Sequence, residues 1–277
     1  MYCKHFMTLF GDMMNICIIG NSKRLSVLEQ NLKANHKVTV YRSADNLEDE
    51  ILQDVVVLPV PTVDKNGFIN LNGKSKITLE SILERIPSNS LVISCGCCDK
   101  NNRVIDINKR EDFTYLNAVP TAEGAIYYAL ENSEKSLFES KILITGFGHV
   151  AKLLSDRLEG LCRDITVSAR SLKDLSYAEA LSYKTIHISK LKSSIDKFDL
   201  IFQTVPNKLL TSEIIDCLNK NSIIIELSSK SVGTDYVYAE SKGINVVHAP
   251  ALPEKISPVT AGNILTKSVL SLIAEHK

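Results

Sequence analysis

The feature that most constrains the fold is an apolar run that ends abruptly in two glycines. Lys141-Ile142-Leu143-Ile144-Thr145 reads as a buried strand, and Gly146-Phe147-Gly148-His149-Val150-Ala151 follows it directly. A helix is expected from Val150 to Leu158. Strand, glycine turn and helix in immediate succession form the dinucleotide-binding fingerprint of a Rossmann unit, with Ala151 as the accepted variant of its third glycine. Gly146 permits the tight turn, Gly148 lets the backbone approach a pyrophosphate, and Ala151 keeps helix and strand close. Free N–H groups and the positive end of the helix dipole then meet the anion. Gly146, Phe147, Gly148, His149 and Val150 are therefore candidate cofactor contacts. The competing reading is a glycine turn in a domain that binds nothing.

Which nicotinamide dinucleotide fits is read at the end of the next strand, 164–169. A carboxylate there would bind a ribose 2′-hydroxyl. This chain has Ser168-Ala169-Arg170-Ser171 instead, with Arg170 24 positions beyond Gly146. Arg170 can pair with a 2′-phosphate and Ser171 can add a hydrogen bond, which favours NADP over NAD. Later strands are expected at 183–188, 199–203, 222–226 and 245–248. Ligands of open α/β sheets bind beyond the carboxyl ends of strands. Ala169, Thr204-Val205-Pro206 and Ser228, in Leu227-Ser228-Ser229-Lys230, should therefore border the cofactor.

The first half uses the same grammar. Strands are expected at 15–19, 37–41, 54–58 and 91–94, with helices at 25–34 and 79–85. Continuous Val/Ile/Leu runs separated by helices imply a parallel sheet covered on both faces. The fold class is thus α/β, with two Rossmann-like parallel-sheet domains and a cleft between them. Asn117-Ala118-Val119-Pro120 breaks the pattern, and Thr121 can cap a helix running to about Asn132. The predicted division is an N-terminal domain at 1–120, a connecting helix at 121–136 and a nucleotide-binding domain at 137–256. A return helix at 257–277 is expected to pack on the first domain, and residues 1–13 read as an ill-ordered extension.

The length of 277 residues suits two domains. Lys+Arg and Asp+Glu balance at 32 each, so no global field draws nucleic acid or an anionic membrane. No run approaches the roughly 20 apolar residues of a membrane span, and the N-terminus has no signal-peptide pattern. Seven cysteines, an odd number, then read as free thiols in a reducing cytoplasm. Cys95-Gly96-Cys97-Cys98 lacks a second Cys/His pair with zinc spacing, so no metal is expected. His248 reads as a strand-end histidine rather than a base.

Several segments together carry a resemblance: Asn117-Ala118-Val119-Pro120-Thr121-Ala122-Glu123-Gly124, the glycine loop, Thr204-Val205-Pro206, Gly233-Thr234-Asp235-Tyr236 with Tyr238-Ala239-Glu240, and Ala249-Pro250-Ala251-Leu252-Pro253 through Thr260-Ala261-Gly262. From about Asn15 to the C-terminus the chain resembles the family of bacterial dipicolinate synthase A-subunits. The resemblance implies oxidation of dihydrodipicolinate to dipicolinate with NADP in the mother-cell cytoplasm of a sporulating bacterium. It also implies a smaller, flavoprotein-like dipicolinate synthase B-subunit as partner; homo-oligomerisation stays open. Four positions depart from the family pattern. Ala251 and Glu254 stand where glycines are usual, and His149 and Lys230 where arginines are.

A ring bearing two carboxylates must lose a hydride to nicotinamide and a proton to a base or water. Aromatisation makes this downhill, so orientation and charge neutralisation matter most. Ser94, Asn117 and Thr121 are expected to donate to the substrate from one wall, with the Ala261 and Gly262 amides at its edge. Lys230 would offset carboxylate charge, and Glu123 and Asp235 are candidate proton acceptors. Each acid could equally be a helix-start or loop residue. The rival functions are an NADP dehydrogenase of another small carboxylate, such as a shikimate-type acid, and a non-catalytic nucleotide-binding member of a complex.

Overall fold

The structure is a computed structural model and describes residues 13–97, 99, 102–228 and 233–276. Most of the expected N-terminal extension, residues 1–12, lies outside the described residues, as do Cys98 and Lys230. In chain order the first elements are β1 (Asn15–Ile19), α1 (Lys23–Leu32), β2 (Lys37–Tyr41), β3 (Val55–Val57), α2 (Leu79–Glu84), β4 (Leu91–Ser94), β5 (Val104–Asp106) and α3 (Glu111–Asn132). The chain continues through β6 (Lys141–Thr145), α4 (His149–Glu159), β7 (Asp164–Ala169), α5 (Leu172–Ala180), β8 (Lys184–His187) and β9 (Leu200–Gln203). It closes with α6 (Ser212–Ile215), β10 (Ile223–Glu226), α7 (Tyr236–Ser241), β11 (Asn245–His248), α8 (Leu252–Ile256) and α9 (Pro258–Glu275).

The chain divides into two units, one running to Leu116 and resuming at Pro258, the other covering Asn117–Ser257. The first holds a parallel sheet in the order β2-β1-β3-β4-β5. Its inner strand β1, between β2 and β3, shows why the strands read as unbroken apolar runs. Ile16 and Ile18 face a core with Leu25 and Leu28 of α1 and with Leu265 and Val269 of α9. Cys17 and Ile19 face the opposite core, with Leu58, Leu79 and Ile82. Both faces are covered, so alternation would cost buried polar groups. Ser22 caps α1 by accepting from the Leu25 N–H at 3.3 Å. The second unit holds a parallel sheet in the order β11-β10-β9-β6-β7-β8. Counted from β6, this is the 3-2-1-4-5-6 order of a Rossmann domain, with its switch point between β6 and β9.

Two local expectations are corrected. Pro120 does not break the chain, for it lies inside α3, and Thr121 is an interior residue rather than a cap. A proline there removes the bond to the carbonyl four residues back and strains the turn. The helix continues because Ala118, Ala122, Ala125 and Ala129 are all buried along it. The division between units accordingly falls within α3, after Leu116. Secondly, β5 follows β4 where no strand was expected. Its three residues are too short to show a pattern, and pairing with β4 in register makes it. The return helix expected at 257–277 is α9, which starts at Pro258, with proline at the first helical position, where its missing N–H costs nothing.

Candidate dinucleotide site

One register row of the second sheet organises the site. Thr145 pairs with both Ser168 and Gln203, Gln203 with Glu226, and Glu226 with His248. Every residue expected at the cofactor lies just past this row, at the carboxyl ends of β6, β7, β9 and β10. Gly146, Phe147, Gly148, His149 and Val150 follow β6, while Ala169 ends β7 and Arg170 and Ser171 follow it. Thr204, Val205 and Pro206 follow β9, and Ser228 lies two residues past β10. The sheet thus brings the whole cofactor set to one edge.

The turn does what its glycines predicted. Gly146 adopts φ +80°, a left-handed conformation that other residues enter at a cost. A Cβ there would stand 3.0 Å from both Thr204 Oγ1 and Val205 Cγ2, so the tip of β9 abuts the turn. Gly148 is the N-cap of α4, and a Cβ built on it meets nothing within 4 Å. That open space lies in front of a helix N-terminus, the kind of place that suits an anion. Phe147 is buried, edge-on to Tyr177 and Tyr183, and anchors the turn to the domain.

Arg170 is exposed, and no acid stands beside it at the end of β7. Ser171 accepts from the Asp174 N–H at 3.4 Å as the N-cap of α5. Its hydroxyl proton stays available to an anion, because a capping oxygen only accepts.

A buried polar network beneath the strand tips carries no sequence motif. Thr204 Oγ1 donates to the Thr145 carbonyl at 2.6 Å, and the Thr204 N–H to Thr145 Oγ1 at 3.2 Å. Thr145 Oγ1 donates to Gln203 Oε1, which also accepts from the Val205 N–H at 3.1 Å. Gln203 Nε2 donates to the Gly233 carbonyl at 3.1 Å. The fully buried Glu226 carboxylate accepts from Thr234 Oγ1 at 2.7 Å and from the Ser228 N–H at 3.1 Å. Each of these groups closes an otherwise apolar strand or faces one. A polar residue ending an apolar run was the signal that could have found them. The network locks the tips of β6, β9 and β10 in one geometry. Ser228 Oγ, in a residue only 4% exposed, has no hydrogen-bond partner among the described residues.

The expected catalytic residues fare differently. Lys230 lies outside the described residues. Glu123 is exposed on α3 beside Arg157, with 3.5 Å between Oε1 and Nε. Arg157 is eight residues along α4 from His149, about 12 Å at the helical rise, so Glu123 stands away from the glycine turn. Asp235 is the N-cap of α7, accepting from the Tyr238 N–H at 3.3 Å, and pairs with Lys208 at 2.7 Å. The lysine, then the capped amide, hold its carboxyl below the usual carboxylate range, which makes it a weak base.

The expected substrate residues are divided between the units, with Ser94, Ala261 and Gly262 in one and Asn117 and Thr121 in the other. Ser94 is buried and donates to the Cys97 carbonyl. Thr121 donates to the Asn117 carbonyl at 2.8 Å within α3, so its proton is already used. Asn117 Oδ1, by contrast, is buried with no hydrogen-bond partner among the described residues. Ala261 and Gly262 are the fourth and fifth residues of α9 and both are buried. A Cβ on Gly262 would stand 2.4 Å from Val27 Cβ and 2.9 Å from the Arg24 carbonyl oxygen, so this glycine lets α9 approach α1. Burial pushes the Cys95 thiol up to about 12, so it is no thiolate nucleophile. No group of three metal-ligating side chains occurs among the described residues. No helix among them is long and apolar enough to cross a membrane.

The sheets and the glycine turn together define a two-unit protein with the fold of Rossmann-type dehydrogenases. L-alanine dehydrogenase shares that fold at a TM-score of 0.61 and 14% identity, over 95% of this chain and 89% of its own. The more particular likeness is to the A-subunit of dipicolinate synthase. The Bacillus subtilis (strain 168) protein of that name is 25% identical over 232 residues, covering 80% of this chain and 78% of the relative. The crystal structure of the dipicolinate synthase A-subunit from Bacillus halodurans superposes at a TM-score of 0.83 with 25% identity, over 94% of this chain and 97% of that one. No family model matches the chain. The resemblance drawn from the motifs is borne out in both sequence and fold.

Proposed function

We propose that the chain is an NADP-dependent oxidoreductase that converts dihydrodipicolinate to dipicolinate. On this reading it works with the smaller, flavoprotein-like B-subunit of dipicolinate synthase in the mother cell during sporulation. The observation that carries the reading is the likeness to the dipicolinate synthase A-subunit along nearly the whole chain. The open space at Gly148 and the arginine in place of an acid after β7 support NADP as the dinucleotide. When bound, the nicotinamide supplies the hydride acceptor.

The chain's own residues bind and orient. Gly146 to Val150 and the N-terminus of α4 would hold the pyrophosphate, and Arg170 with Ser171 the 2′-phosphate. Thr204, Val205, Pro206 and Ser228 would border the nicotinamide, held by the network around Gln203 and Glu226. The substrate loses one hydride and one proton and becomes an aromatic ring. With Asp235 capped and Glu123 away from the glycine turn, the proton goes to water. Asn117 and Lys230 would bind the substrate, the lysine by offsetting a carboxylate. Lys230→Met is then expected to raise KM about tenfold or more, as loss of one charge-assisted contact does.

The test supplies freshly generated precursor and NADP to the purified chain, with and without the smaller partner, and follows dipicolinate by its ultraviolet absorbance. Dipicolinate in either tube supports the reading. Its absence from both, with NADP bound, overturns it in favour of a non-catalytic nucleotide-binding role.

A further inference from the structure

The last rung of the ladder between β7 and β8 pairs Ala169 with His187. Arg170 comes next, where the chain leaves the sheet. Its carbonyl lies 3.2 Å from His187 Nε2. A carbonyl can only accept, so Nε2 carries the proton and donates. The other ring nitrogen, Nδ1, lies 2.7 Å from Ser189 Oγ and accepts from the Ser189 N–H at 3.3 Å. Ser189 therefore fixes the tautomer that His187 needs in order to hold Arg170. One residue further on, Ser171 caps α5. The backbone of Arg170 is thus tied on three sides: by the sheet before it, by the imidazole at its carbonyl and by the cap after it.

We propose that His187, with Ser189 behind it, is a positioning residue for the choice between NADP and NAD. It acts through Arg170 rather than on the ligand. A guanidinium reads a phosphate with a planar fork, and a fixed backbone beneath it lowers the ordering cost of that contact. Without the imidazole, the Arg170 carbonyl turns to water and the side chain samples more directions. NAD lacks the 2′-phosphate and gains nothing from the bracket. The inference rests on Arg170 receiving the 2′-phosphate.

The test measures equilibrium binding of NADP and of NAD to the full chain and to the Arg170→Ala, His187→Ala, His187→Gln and Ser189→Ala variants, with thermal melting of each. His187→Ala is expected to weaken NADP about fivefold, the worth of one hydrogen bond, and NAD by less than about twofold. His187→Gln, whose amide can still donate to the Arg170 carbonyl, is expected to recover most of the loss. Ser189→Ala is expected to show the same selectivity more weakly. Equal weakening of both dinucleotides by His187→Ala, or unchanged NADP binding, overturns the role of His187 while the Arg170 reading stands. A wild-type chain with no preference for NADP, or a preference that survives Arg170→Ala, overturns both.

Discussion

Glycine serves opposite ends in the turn after β6 and in the two helices that carry the most specific motifs. At Gly148, the N-cap of α4, a Cβ would meet nothing within 4 Å. At Gly124 a Cβ would lie 3.0 Å from Leu252 Cβ, and at Gly262 it would lie 2.4 Å from Val27 Cβ. Those spaces are taken by the protein itself. Gly124 of α3 and Leu252 of α8 meet there and pack. Motif segments can therefore record helix packing, while the glycine turn leaves open space at a helix N-terminus. Chemistry and packing can be told apart only by what a side chain would strike.

Substitutions at these positions break or sharpen the contrast. The largest effect is expected from Gly262→Leu. Its Cβ would collide with Val27 and with the Arg24 backbone, which cannot move cheaply, so a stability loss of about 3 kcal/mol is expected, read by urea unfolding. Unchanged stability would show that α9 is not held through Gly262. Next comes Gly148→Ala, the same kind of change with the opposite outcome. Its φ of −79° suits alanine, so stability is expected to fall by less than about 1 kcal/mol, while NADP binding weakens about tenfold or more. A protein that melts early but still binds NADP would reverse the contrast.

Ala251 offers a smaller test with the opposite sign. It adopts φ +55° at the N-cap of α8, a left-handed conformation that glycine enters without strain. Ala251→Gly is expected to stabilise by about 1 kcal/mol through relief of that strain, visible as a raised melting temperature. The smallest effect is expected for Gly124→Ala, measured the same way. Its new Cβ would press on Leu252 and Ile256 at 3.0–3.2 Å, a tight contact rather than a collision, and the gain in helix propensity of about 1 kcal/mol offsets most of the clash.

How much of this was legible depended on whether a feature is local. Strands such as 91–94 and 245–248 stood out as read because apolar runs need no distant information. That the residues expected at the cofactor share one edge was legible because the carboxyl ends of strands in a parallel sheet lie together. By contrast, β5 exists only through its pairing with β4, and Pro120 stays helical only because Ala118, Ala122, Ala125 and Ala129 are buried. The roles of Glu123 and Asp235 were illegible for the same reason. Their partners, Arg157 and Lys208, lie 34 and 27 positions away. Thr145, Gln203 and Glu226 gave no motif because a hydrogen-bond network has no spacing rule.

The most direct measurement of the central claim is calorimetric titration of the purified chain with NADP and with NAD, beside the Arg170→Ala variant. The glycine turn and Arg170 predict that NADP binds about tenfold or more tightly than NAD, and that the variant loses this margin while keeping its affinity for NAD. Tighter binding of NAD, or no binding of either dinucleotide, would contradict it.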